Sequence, residues 1–303
     1  MIFAVSLAVL TMLGTLPAPD LVDDLDQAAD AEFIGRQLVV CWSPDGVVAH
    51  VTDIEQSGGM TMVTGDGGSF VIGEGKMIEQ HSDGIRYLEM SPTSDWRLWE
   101  GYTVHAGPSM TGLSDARTVE IHQGDSVRAR FVLDPTTAAP LSTEVFGADG
   151  SLYRYSSLIE VRPRDGGEML DMEDMPEPEQ RPPAEAEAIP VAAGHYWGAD
   201  SYAAPGGVQV FFTDGLFRFS VFEVSRKSDG GGLANTESVE IGGHGGYHRQ
   251  HTPGAVSVFW RTSDRAYVLV GDLPPDHLDS VLADLPAPSR PNLLKRAWRW
   301  AFG

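Results

Sequence analysis

Hydrophobic and polar positions change rhythm three times along the chain. Residues 1–16 (MIFAVSLAVLTMLGTL) carry no charged side chain, and Asp20 is the first ionisable one. This run is shorter than the ~20 residues a helix needs to cross a bilayer and suits the apolar core of a secretory signal. No Lys or Arg precedes it, and Pro17-Ala18-Pro19 is a poor cleavage site. Segment 1–19 therefore reads as a signal peptide or a retained N-terminal anchor, against the plainer alternative of a buried strand or helix. From Asp20 the rhythm is helical: Leu21, Val22, Leu25, Ala28, Ala29 and Phe33 recur at spacings of three and four. Asp23, Asp24, Asp26 and Asp30 fall on the opposite, solvated face.

After Gly35 the period drops to two. Gln37 to Trp42 and Val47 to Ile54 flank the turn Ser43-Pro44-Asp45-Gly46 and predict a hairpin. Further strands are predicted at Met60–Thr64, Ser69–Ile72, Gly84–Met90, Thr118–His122, Val127–Leu133, Leu141–Phe146 and Leu152–Val161. One helix followed by antiparallel strands predicts an α+β domain over 20–163.

The third change comes at 164–190, with nine acids, two bases, five prolines and no aromatic residue. Such a stretch buries too little surface to offset its ordering entropy and predicts an extended linker. A smaller α+β domain follows over 191–287. Its strands are predicted at Val208–Phe212, Leu216–Val224, Ser238–Ile241, Val256–Arg261 and Arg265–Gly271. Pro274-Pro275-Asp276 then opens a helix over His277–Leu285.

Charge narrows the function classes. The 303 residues hold 43 acids and 21 bases, a net charge of -22. This balance excludes nucleic acid as the main partner, because phosphate contacts need a basic footprint. Cys41 is the single cysteine, so no internal disulfide and no all-cysteine metal site can form. The tail, 288–303, inverts the charge: Arg290, Lys295, Arg296 and Arg299 stand among Leu293, Leu294, Trp298, Trp300 and Phe302. That mixture suits contact with an anionic membrane surface, and equally a helix docked on this acidic chain or a disordered end.

Catalytic patterns are missing. No Gly-x-Ser-x-Gly elbow occurs, and Gly65–Ser69 lacks the lysine and following helix of a phosphate loop. Asp214 and Glu223 are not assignable as a glycosidase pair from spacing alone. His244, His248 and His251 lie within eight residues, as zinc ligands do. Glycines 242, 243, 245 and 246 make this stretch read as a polar loop, and no metal or other cofactor is assigned to the chain.

Four segments carry a resemblance. Val210 to Val221 (VFFTDGLFRFSV) resembles the "SDGLFSFSV" strand pair of the RseB/MucB family, and Val270 to Pro275 (VGDLPP) resembles its "VGELPP" turn. Leu113 to Ile121 is similar to that family's "IADR..EVI" strand. Asp134 to Leu141 with Asp149-Gly150 follows its Asp, turn, Pro-Leu and "DRDG" order. The resemblance spans about residues 20–287. It departs at the opening of the second domain, where only Trp197 and Gly206-Gly207 remain of the family's segment, and in the acidic linker and tail.

The resemblance implies an exported, non-enzymatic negative regulator of an envelope-stress sigma factor. Its first domain would be similar to the carriers LolA and LolB, a curved antiparallel half-barrel with plugging helices that accepts lipid or lipoprotein acyl groups. Its second domain would help hold the external segment of a membrane anti-sigma factor, with Asp214, Gly215, Leu216 and Phe217 as the candidate partner-binding motif. Trp42, Met60, Met62, Phe131 and Phe146 lie on predicted strands and are the candidate lining of the lipid cavity, or fillers of an ordinary core. The alternative function is a periplasmic or envelope lipid or lipoprotein carrier on the same fold.

Overall fold

The computed structural model describes residues 27–28, 31–43, 46–57, 59–65, 68–73, 76–81, 84–89, 101–108, 116–164, 188–204, 207–225, 236–252 and 255–289. The apolar N-terminal run, nearly all of the acidic linker and nearly all of the basic tail lie outside these residues.

Antiparallel β-structure dominates. The first sheet has 11 strands: β1 (Phe33–Ser43), β2 (Gly46–Ser57), β3 (Met60–Gly65), β4 (Gly68–Gly73), β5 (Lys76–His81), β6 (Gly84–Glu89), β7 (Tyr102–Ala106), β8 (Arg117–Gln123), β9 (Ser126–Leu133), β10 (Pro140–Phe146) and β11 (Leu152–Pro163). Their order is β6-β5-β4-β3-β2-β1-β11-β10-β9-β8-β7. Two meanders thus meet where β1 pairs with β11, Phe33 opposite Pro163.

The second sheet has eight strands: β12 (Ala192–Ala193), β13 (Tyr196–Ala204), β14 (Gly207–Thr213), β15 (Arg218–Ser225), β16 (Glu237–Ile241), β17 (His244–Thr252), β18 (Ala255–Arg261) and β19 (Arg265–Asp272). Their order is β12-β13-β14-β15-β19-β18-β17-β16. Helix α1 (Pro275–Asp284) closes the described fold and buries His277, Leu278, Val281 and Leu282.

Alternation sets the faces. On β9, β8 and β10, Ala129, Phe131, Val119, Ile121, Thr143 and Val145 share one buried face. Arg130, Glu120 and Glu144 share the other, where Arg130 bridges both carboxylates at 2.7–2.8 Å. In the second sheet, Phe212, Phe219, Val221, Leu269, Val258 and Trp260 are buried in a hydrophobic core that also takes in α1. That core runs on without a break into the first sheet. Gly271 shows why the end of β19 needs glycine: a Cβ there would collide with the backbone of Arg218 and Phe219 on β15.

Most predicted strands form within a residue or two of their expected ends. Three expectations are corrected. Phe33 does not end the first helix; it opens β1, while Gln27 and Ala28 are helical and residues 20–26 lie outside the described set. The helix α1 begins at Pro275 rather than His277, because proline at the first helical position gives up an N–H that has no partner there. The histidine-rich segment is not a loop but strand β17, paired with β16 and β18. Its Gly246 adopts φ +105° as the extra residue of a bulge, the conformation for which glycine is suited.

The linker boundary remains a proposal, and it makes a testable prediction. Limited proteolysis is expected to cut first within 165–187 and to leave two fragments that co-elute on a sizing column at neutral pH, because one core spans both sheets. Early cuts inside the strands would refute the boundary.

Candidate functional site

The site with the densest polar chemistry lies where the two sheets meet, and local irregularities build it. In β8–β9, Ile121 pairs with Ala129 and His122 with Val127, which leaves Arg128 as the extra residue of a bulge. In β10–β11, Val145 pairs with Arg154 and Phe146 with Leu152, which leaves Tyr153 extra. Bulges re-aim side chains, and both lie toward the second sheet. Arg128 and Arg154 are buried, and each meets an acid of the other sheet's unit: Arg128 with Asp276 at 3.1 Å, Arg154 with Asp272.

From the second sheet comes the turn Thr213-Asp214-Gly215-Leu216-Phe217. The Asp214 Oδ1 accepts the backbone N–H of Leu216 at 3.0 Å and of Phe217 at 2.7 Å. Gly215 takes φ +93°, a region closed to most side chains. The Asp214 Oδ2 accepts the Tyr102 hydroxyl of β7 at 2.6 Å, across the sheet junction, and His195 Nε2 at 2.8 Å. A carboxylate only accepts, so His195 carries its proton on Nε2.

The His277 tautomer follows by the same logic. Arg128 Nη2 lies 2.9 Å from His277 Nε2, and a guanidinium only donates. The Nε2 lone pair is therefore taken, and Nδ1 holds the proton that it donates to the Tyr196 hydroxyl at 2.6 Å. Phe217 meets the His277 ring edge-on at 5.3 Å and lies 5.6 Å beneath the Arg128 guanidinium. Burial and the Arg128 charge hold His277 down at about 4. Burial and the Asp214 charge push Tyr102 and Tyr196 well above the usual phenol range.

His195, Asp214 and His277 bring ligand-type atoms within 4.8 Å of one another. They do not fit a metal. Both nitrogens of His277 are engaged, and its lone pair on Nε2 already faces the Arg128 guanidinium. The cluster is a hydrogen-bonded seam between sheets.

The sequence-derived candidates fall into three places. Asp214, Gly215, Leu216 and Phe217 are all buried at this seam. Phe131 is fully buried on the inner face of the first sheet. Trp42, Met60, Met62 and Phe146 are half-buried on the opposite face, where Arg130 sits over the Phe146 ring at 5.4 Å. On the same face Val47, opposite Trp42, is 60% exposed and Val51 44%, while Met62 and Met60 lie at the other end of β2, opposite Glu55 and Ser57. The structure thus does not bring Phe131 together with the other four. Of the histidine triplet, His244 is exposed and His248 half-buried.

No protein-family model matches the chain, and no curated protein matches it. Solved structures do. The Pseudomonas aeruginosa MucA/MucB complex is similar at 17% identity over 90% of this chain and 100% of that one, with a TM-score of 0.50. A crystal structure of MucB is similar at 17% identity over 88% and 98%, with a TM-score of 0.51. The chain shares the MucB fold across both sheets.

Proposed function

We propose that the chain is an RseB/MucB-type regulator: an exported, non-enzymatic protein that binds the external segment of a membrane anti-sigma factor and senses lipid or lipoprotein ligands. The observation that carries the reading is the fold match, which runs through both sheets in order and spans nearly the whole of MucB, a protein solved in complex with MucA.

The sheet junction supports the binding role. The buried Asp214–Phe217 turn contributes by fixing how the second sheet sits on the first, so that a partner meets one surface made from both. The first sheet is the LolA-like lipid sensor. On its outer face Trp42 with Val47 and Val51 toward one end of β2, and Met60 with Met62 at the other, are the apolar positions that an acyl chain reaches without opening the core. Release needs a ligand that prefers the unbound conformation, and each ~1.4 kcal/mol of preference weakens the complex about tenfold. Burying two methylenes, at roughly 0.8 kcal/mol each, supplies that much.

The test is a pull-down of the external segment of a membrane anti-sigma factor from the same genome, with and without a lipid amphiphile. Capture without lipid and at least tenfold less with it is the expected result. No capture in either condition, with uptake of the amphiphile retained, would replace the regulator by the carrier.

A further inference from the structure

We propose that the seam between the sheets is a proton-operated latch: protonation of the His277 ring releases α1 and the second sheet from Arg128 and so loosens their docking on the first sheet. Nothing in the regulator reading requires this, and the latch stands whatever the partner is.

The geometry leaves His277 no neutral way to take a second proton. Nδ1–H is donated to the Tyr196 hydroxyl, and the one lone pair, on Nε2, faces the Arg128 guanidinium at 2.9 Å, with Asp276 Oδ2 3.4 Å from the same nitrogen but already shared with Arg128 at 3.1 Å. A proton placed there sets two cations in contact inside a buried site, where such repulsion is least screened. Arg128 cannot give up its own charge. It cannot swing away within the folded seam either, being fully buried, stacked over Phe217 and paired with Asp276. The strain falls on the contact between the elements.

Charged and titratable groups face His277 from every side. Arg128 comes from β9, Asp276 from α1 itself, Asp214 from the β14–β15 turn, His195 from the β12–β13 turn and Tyr196 from the start of β13. Tyr102 of β7 faces it through Asp214. Asp276 and Asp214 favour a charged ring; burial, Arg128 and His195 oppose it and prevail. His195 is 40% exposed and stands edge-on to His277 at 4.6 Å, which gives the seam an open side toward solvent.

The sign follows. In the docked state His277 is neutral down to about 4. In the undocked state its ordinary value is ~6.5. The His277 contribution to docking is therefore complete above pH ~6.5 and fades as pH falls toward 4. Between pH 7.5 and 5 the undocked population should rise roughly 30-fold.

Hydrogen exchange on the full chain at pH 7.5 and 5, corrected for the intrinsic pH dependence of exchange, reads this directly. The Leu216 and Phe217 amides at the seam are expected to lose protection roughly 30-fold. Amides inside each sheet, such as Val119, Phe131, Val258 and Leu269, should stay protected. His277→Gln keeps an acceptor for Arg128 but cannot be protonated, and should cut the seam's pH response below threefold, while His195→Gln should leave most of it.

A flat response in the unaltered chain would overturn the latch, as would an unchanged response in His277→Gln. Parallel loss at seam and sheet interiors would replace it by global unfolding. Should His277→Gln fail to fold, NMR titration of the His277 ring in the unaltered chain decides. A midpoint below about 5.5 that tracks the seam amides supports the latch, and one at the ordinary ~6.5 overturns it.

Discussion

Replacing Asp272 with alanine is expected to lower the unfolding free energy by about 3–5 kcal/mol, because it strands buried cations. Asp272 is fully buried and contacts Arg154, itself 1% exposed. It also supports Arg218, which burial and the neighbouring Arg154 together pull down to about 10 against the Asp272 charge. Without the carboxylate, two guanidinium groups share one desolvated site. Urea denaturation should show a midpoint shifted down by more than about 1 M, given slopes of roughly 1–3 kcal/mol/M. Removing both partners, as Arg154→Met with Asp272→Leu, should recover only the part of the loss owed to Arg154, since an apolar pair carries no desolvation cost but Arg218 still lacks the Asp272 charge. A loss below about 1 kcal/mol for Asp272→Ala would show that the pair does not hold the junction.

A second large effect separates two residues that the sequence alone placed together. Phe131→Asp is expected to cost at least about 4 kcal/mol, since it removes a fully buried ring and leaves a carboxylate among Val119, Thr143 and their neighbours. Against a typical total stability of about 5–15 kcal/mol, that leaves the chain marginal or unfolded. Met62→Lys should stay within about 1 kcal/mol, because Met62 is half-buried and its new charge would face Glu55 across β2–β3. The same variant should weaken uptake of a fluorescent acyl probe about tenfold if the face that carries Met62 takes up the chain. Unchanged uptake would move the ligand to the other face.

Strands with an apolar side chain at every second position were legible, and so were the turns between them. Three of those missed had specific reasons. In Lys76–His81 the two large apolar residues are adjacent, which breaks the alternation. Tyr102–Ala106 does alternate, with Tyr102 and Val104 buried, but only over five residues. In His244–Thr252 glycine signalled a loop where it marks a bulge. Of the seam, only the Asp214 turn was visible, because its partners are local. Tyr102 lies 112 residues from Asp214, and Arg128 lies 149 from His277. No periodicity reports a pairing at that range, and the bulges that aim Arg128 and Arg154 appear only as a skipped register.

The meeting of the two meanders at β1 and β11 also sets the order in which the chain can acquire its structure. Within β1–β6 and within β7–β11 every pairing joins consecutive strands, so each half can zip from its own hairpins on a fast timescale. The β1–β11 pairing closes a loop of about 110 residues, and its reward comes only after both halves exist. During synthesis at roughly 5–20 residues per second, β1 waits on the order of 5–20 s for its partner. For that interval it is an eleven-residue edge with open N–H and C=O groups. Refolding should therefore show a slow phase assigned to β1–β11 closure, and aggregation that competes with that phase as concentration rises.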